Sequence, residues 1–370
     1  MASMRRLAPL AVLAVALASC SSGQTSSSSL PVAQPPANPA SQQSAQSAAT
    51  ASTGIAHLSR YNIDPSKVFV AGISSGGFFA VQMDVAHSAT FKGAAVYAGG
   101  VYWCANDNVG TALAACGGEG LYAPELTQSE TYLDTQSALG TIDSESNLAR
   151  HPVYLWSGTA DTLVPQKSMN DLASEYAHYG ASPLVYDSTF PAEHGWESPN
   201  GSLACGTLGE PYMIVCDQGR EAYDSEKTWL QMFLGRLAPR NDGKLQGSLS
   251  RFDQTEFGAA ASNSMDTTGW VFVPEQCERG HRCSLVVAFH GCLQTQADIG
   301  NTYATESGID PWADRNDLIV LYPYAIKSST VPYNPQGCWD WWGYDDPNYA
   351  LRSGTQISIV YKMVQRLTGE

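Results

Sequence analysis

The sequence predicts an α/β fold, a mostly parallel sheet flanked by helices, and three observations predict it. Short, uninterrupted apolar runs such as residues 67–71 and 284–289 read as strands buried on both faces, as in a parallel sheet. Stretches of helical spacing separate those runs, the pattern of βα units. The same alternation returns in the last third of the chain, so residues 55–370 read as one domain rather than two.

The 370 residues begin with a targeting segment over 1–19. Arg5 and Arg6 precede an apolar stretch, 7–17, that is too short to span a bilayer. Leu17-Ala18-Ser19-Cys20 then supplies the small-residue site of a cleaved signal peptide, and it resembles a bacterial lipobox, with Cys20 as the lipidated first residue of the mature chain. Residues 21–54 hold no Phe, Trp, Tyr, Ile or Met, so they cannot bury enough apolar surface to offset their ordering entropy. They read as a disordered tether after Cys20. The expected location is the cell envelope, or the outside of the cell.

Strands follow at 67–71, 93–97, 153–156 and 184–190, with a helix over 77–88. Residues 102–150 are polar and contain Gly and Cys, and they fit an insertion over the sheet. Residues 197–222 read as a second irregular loop, and 224–237 as a helix. The last third adds strands at 270–274, 284–290 and 318–322 and a closing helix over 356–367.

A net charge of −15 makes the chain a poor partner for nucleic acid or anionic lipid and suits a neutral substrate. Any membrane contact is expected only through the anchor at Cys20. Beyond Cys20 the nine cysteines leave Cys104, Cys116, Cys205, Cys216, Cys277, Cys283, Cys292 and Cys338. An even number after an export signal points to disulfides. The spacings 104/116, 205/216 and 277/283 look like local staples, with 292/338 left to pair, although many connectivities are open. No CxxC or HExxH occurs, so no metal site is expected.

Gly72-Ile73-Ser74-Ser75-Gly76 matches G-x-S-x-G. An apolar strand precedes it and a helix follows at once, which is the strand–turn–helix setting of a nucleophile elbow. That makes Ser74 the candidate nucleophile. Its hydroxyl needs a base, and the base an orienting acid. Of seven histidines, His194 directly follows an apolar strand, in a loop with Gly195 and Trp196, and is the candidate base. Asp161, in the loop after the 153–156 strand, is the candidate acid; Asp187, inside a strand, is the weaker rival. One oxyanion donor is expected from the Ser75 amide. The second normally comes from an earlier loop with a His-Gly motif. None precedes Ser74. One appears at His290-Gly291-Cys292, so the sheet is expected to be that of a circularly permuted α/β-hydrolase.

The order GISSGG, SGTADTLVP, AEHGW, FHGC and CWDWWGY resembles the circularly permuted extracellular poly(3-hydroxybutyrate) depolymerases, single-domain serine esterases, from about residue 57 to the C-terminus. The resemblance implies Ser74, Asp161 and His194 as the triad, the Ser75 and Cys292 amides as the oxyanion hole, no cofactor, and a substrate-contacting tryptophan among Trp339, Trp341 and Trp342, with Trp341 or Trp342 favoured. Flat apolar rings beside an oxyanion loop suit a polyester chain. Two other readings stand beside it: an esterase acting on feruloyl or acetyl groups of plant polysaccharide, and a non-catalytic surface lipoprotein that binds polymer. The complete Ser-Asp-His order weighs against the last.

Overall fold

The computed structural model describes residues 55–117, 126–217, 219 and 221–370. The expected signal peptide, Cys20 and the tether lie outside the described residues. Residues Thr53–Glu370 fall in one compact unit.

Its centre is an eight-stranded sheet. In chain order the strands are β1 (Ile63–Ile73), β2 (Ala94–Tyr97), β3 (Val153–Trp156) and β4 (Leu184–Asp187); then three short strands of a separate small sheet, β5 (Trp196–Glu197), β6 (Leu203–Ala204) and β7 (Met213–Val215); then β8 (Ser248–Asp253), β9 (Thr268–Val273), β10 (Cys283–Phe289) and β11 (Leu318–Tyr322). In space the large sheet runs β4-β3-β2-β1-β10-β11-β9-β8. Six strands are parallel, and β9 and β8 add an antiparallel edge. The first-made strand, β1, is therefore central, and the strands of the last third fill the side of the sheet that β2 to β4 leave open.

The central strands are apolar because both faces are covered. Every residue of β10 is buried, as is β1 from Val68 to Ile73. Alternate side chains enter different clusters: Val68 and Val70 pack on one face, Phe69, Ala71 and Ile73 on the other. Helix α1 (Ser75–Ala86) has no exposed residue at all, which explains its nearly all-apolar composition. The closing helix, labelled α5 below (Thr355–Thr368), is amphipathic, burying Gln356, Ile357, Ile359, Val360, Met363, Val364 and Leu367 and ending at Gly369 with φ 80°. Between them lie α2 (Leu126–Leu139), α3 (Gln166–His178) and α4 (Ser225–Leu234).

The strand and helix assignments need several corrections. β1 starts at Ile63 and α1 at Ser75, both earlier than apolarity suggests, while β4 ends at Asp187 rather than 190. The 102–150 insertion holds the fourteen-residue α2, which buries only Ser129 and Leu133 and so lacks an apolar stripe. The loop at 197–222 carries β6 and β7. β8 went unseen because, as an edge strand, it buries only Phe252. Disulfides join Cys104–Cys116, Cys205–Cys216, Cys277–Cys283 and Cys292–Cys338. Four bridges fit a chain that folds in an oxidising compartment.

Candidate active site

Parallel register brings the candidate loops to one edge. Gly72 pairs with Phe289, Ile73 with Tyr97, Tyr97 with Trp156 and Trp156 with Asp187. The turns that follow these residues lie at the C-terminal ends of the strands, the usual place for a site in an open α/β sheet. Those turns carry Ser74, Asp161, His194 and His290.

Ser74 joins β1 to α1 at φ 57°, ψ −125°, a backbone state that a non-glycine residue holds only under strain. Its amide donates to Tyr97 O (2.9 Å), and its carbonyl accepts from Phe78 N (3.0 Å). The flanking glycines are there for close approach. A Cβ at Gly72 would collide with the Gly76 carbonyl, and one at Gly76 with the carbonyls of Phe289 and His290. From Val68 to Ala86 every residue is buried except Ser74, which stays partly open.

The base and acid loops run side by side. Thr159 N donates to Phe190 O (2.8 Å) and Ala160 N to Ala192 O (3.1 Å). One residue further, Asp161 Oδ2 lies 2.9 Å from His194 Nδ1, and these side chains are 1% and 5% exposed. Asp161 Oδ1 accepts from Leu163 N (2.9 Å) and Val164 N (2.8 Å). A carboxylate so placed accepts a hydrogen bond from Nδ1–H, fixing the tautomer that leaves Nε2 as the free basic nitrogen. The rival Asp187 accepts instead from the hydroxyls of Tyr154 and Tyr223.

The loop after β10 is held by His290 and Gln294. His290 is fully buried; its Nε2 accepts from Ala325 N (3.1 Å), so Nδ1 carries the proton and donates to Gly291 O (2.7 Å). Burial lowers its pKa to about 4, so the ring stays neutral and can hold both bonds. Gln294 Oε1 accepts from Gly291 N (2.6 Å), while its Nε2 donates to Pro211 O (2.7 Å). Among the described residues the Ser75 and Cys292 amides donate to no other group. Cys292 is tied to Cys338, and the next residue, Trp339, donates its amide to Ser75 Oγ (3.3 Å). The sequence marked His290 as part of the displaced His-Gly motif but gave no role to Gln294, whose second bond goes to the distant Pro211.

Ser74, Ser75, His194 and Cys292 line one cleft of about 370 Å³. Its walls include Phe78, Leu113, Leu163, Leu208, Tyr212 and Trp341, and among the described residues no Asp, Glu, Lys or Arg lines it. The three candidate tryptophans separate. Trp341 faces the cleft, stacked on Phe78 at 4.3 Å. Trp339 is fully buried against Phe79 and Phe289 and belongs to the core. Trp342 packs on Tyr344 and against the edge of Trp341, and is not among the cleft-lining residues.

This sheet, with a strained serine between a central strand and a buried helix, defines an α/β-hydrolase. Residues 51–203 match the Prolyl oligopeptidase family. A poly(3-hydroxybutyrate) depolymerase of Delftia acidovorans is 38% identical over 317 residues, 84% of this chain; the match spans 62% of that relative's length. A polyhydroxybutyrate depolymerase of Talaromyces funiculosus is 36% identical across 84% of this chain and 92% of its own. A crystal structure of PHB depolymerase from Penicillium funiculosum superposes with a TM-score of 0.78 at 35% identity, covering 85% of this chain and 99% of that one. A PHB depolymerase with a serine-to-alanine substitution, complexed with an R3HB trimer, superposes at 0.77 and 34% identity over the same shares. The chain belongs to the polyhydroxybutyrate depolymerase family.

Proposed function

We propose that the chain is a serine esterase that hydrolyses poly(3-hydroxybutyrate) or its oligomers, with Ser74 as nucleophile, His194 as base and Asp161 as the acid that orients it. The observation that carries this reading is a cleft that Ser74 and His194 both line, without charged side chains among the described residues, with Asp161 bonded to His194 Nδ1. A polyester offers carbonyls, methylenes and methyl groups but no charge along its chain, so walls without ionised groups suit it.

Ser74 Oγ attacks the ester carbonyl while His194 Nε2 takes its proton. The Ser75 and Cys292 amides hold the oxyanion of the tetrahedral intermediate. Collapse of that intermediate expels the alcohol end of the chain, protonated by His194. A water then gives its proton to His194 and attacks the acyl-enzyme; the hydroxyacid fragment leaves and Ser74 is restored. Trp341 borders the cleft as an apolar platform for the chain. Circular permutation accounts for the strand order: with β8 to β11 placed before β1, the oxyanion loop would precede the elbow. The lipobox-like start supports tethering of this domain to the envelope through Cys20. Cys20→Ser should abolish labelled-palmitate incorporation, and incorporation at the wild-type level would reject the anchor.

The deciding experiment incubates the purified chain with amorphous poly(3-hydroxybutyrate) film. Release of 3-hydroxybutyrate or its dimer is expected, with Ser74→Ala lowering the rate by about 10⁴-fold or more. Undiminished hydrolysis by that variant would overturn the nucleophile. One relative, an acetylxylan esterase of Coprinopsis cinerea, is 28% identical over 38% of this chain. Turnover of acetylated xylan or methyl ferulate without attack on the film would therefore reassign the substrate.

A further inference from the structure

We infer that Glu193 is a positioning residue that locks the acid loop to the base loop. The inference rests on the triad proposed above. Two backbone bonds, Thr159–Phe190 and Ala160–Ala192, zip the loops together as far as Ala192. No backbone bond continues the ladder to the next pair of residues. A side chain takes over there. Glu193 Oε2 accepts from His194 N at 2.9 Å and from Thr162 N at 3.2 Å, and Thr162 Oγ1 donates to Oε1 at 2.9 Å. One carboxylate thus grips the residue after Asp161 and the backbone of His194 itself. Glu193 is anchored in turn, because its own amide donates to Cys205 O at 2.9 Å and Cys205 is tied to Cys216.

The Asp161–His194 contact is therefore flanked on one side by backbone rungs and on the other by Glu193. Without that grip the two loops are free to part at the point where the carboxylate must meet the imidazole. Substrate binding draws on the walls of the cleft, none of which Glu193 supplies. The clamp should consequently appear in kcat and not in KM. A glutamine can reproduce it: its carbonyl oxygen can accept from both amides, as Oε2 does now, while its NH₂ faces a Thr162 hydroxyl that can turn round and accept.

The test uses a soluble p-nitrophenyl ester, with the fraction of active sites counted by burst titration so that misfolded protein does not enter kcat. Glu193→Ala is expected to lower kcat per active site by about tenfold or more with KM within about twofold, since small misplacements of a catalytic group are costly. Glu193→Gln should restore kcat to within about threefold. If Glu193→Ala does not fold, Thr162→Val, which loses only the hydroxyl bond, should still lower kcat per site by about two- to threefold at constant KM. Wild-type kcat per active site in Glu193→Ala or in Thr162→Val would overturn the clamp, as would a rise in KM that carries the whole effect, or failure of glutamine to rescue. Failure of the triad itself is read separately, because it would show as full activity in Ser74→Ala.

Discussion

The two halves of the sheet hold different kinds of residue. β1 to β4 lead into Ser74, Asp161 and His194, groups whose protons or lone pairs would move during the reaction. The loop after β10 and the segment after β11 supply the Cys292 amide, His290, Gln294, Trp339 and Trp341, groups that hold still. The difference is visible in their hydrogen bonds. Both ring nitrogens of His290 are engaged, and so are both ends of the Gln294 amide. Ser74, in contrast, stays partly exposed, and His194 has one nitrogen committed to Asp161. Substitution in the first half should remove a chemical step, whereas in the second it should loosen geometry or packing, with graded costs.

The largest effect is expected from the first half. Asp161→Asn keeps the shape of the pair but presents an amide to the imidazole, favouring the wrong tautomer. The expected loss in kcat is on the order of 10⁴-fold at constant Tm. A loss under tenfold, measured on a soluble ester, would mean that another group orients His194. In the second half, His290→Phe removes both bonds of the imidazole, to Gly291 O and from Ala325 N, and leaves Ala325 N unpaired while Gln294 still holds Gly291 N. It should cost about 10²-fold in kcat, the scale of one lost oxyanion donor. A cost equal to that of Asp161→Asn would erase the distinction between the halves.

That distinction also explains how much was legible in the sequence. The first half could be read because its groups sit at sharp transitions from an apolar run to a polar loop, and Ser74, Asp161 and His194 each follow such a boundary. The permutation we propose rests on one displaced His-Gly pair. Contacts between distant segments left no such mark. Glu193 is simply an acid before a histidine until Thr162 is placed across from it. Trp339 and Trp341 are two positions apart in an irregular segment with no period, so only packing decides which enters the core. α2 and β8 were missed because each buries one or two side chains, too few to leave a periodic signal.

The tryptophans give a smaller effect that separates stability from binding. Trp339→Ala removes a fully buried ring between Phe79 and Phe289 and should cost about 3–5 kcal/mol of stability. Trp341→Ala opens the cleft wall. It should raise KM for hydroxybutyrate oligomers by about tenfold, the worth of one apolar platform, with a smaller loss of Tm. Denaturant melts and oligomer kinetics on both variants test the pair. The reverse pattern would move the substrate platform to Trp339.

The smallest effect is in pH dependence, where the two halves pull in opposite directions. Burial lowers His290 in the second half to about 4 from an unfolded value of 6.5, so its contribution is whole above pH 6.5 and is lost as pH falls through 4. Burial raises Glu175, on α3 in the first half, to about 8 from 4.5, so its contribution is whole below pH 4.5 and is lost as pH rises through 8. The bonding agrees with a neutral Glu175. Ser129 Oγ has one proton and two acceptors beside it, Tyr102 O at 2.5 Å and Glu175 Oε1. If Ser129 donates to Tyr102, Glu175 must donate to Ser129, which only the protonated acid can do. Glutamine mimics that state: its NH₂ donates to Ser129 while its oxygen accepts from Tyr102 N, as Oε2 does at 2.8 Å. Between pH 6.5 and 8, stability of Glu175→Gln should therefore fall less steeply than that of the wild type, by up to about 1.4 kcal/mol per pH unit. Urea melts across that window measure the two slopes. Equal slopes would mean that Glu175 is already ionised, and that the acid holding α3 to the Tyr102 backbone does so as a carboxylate.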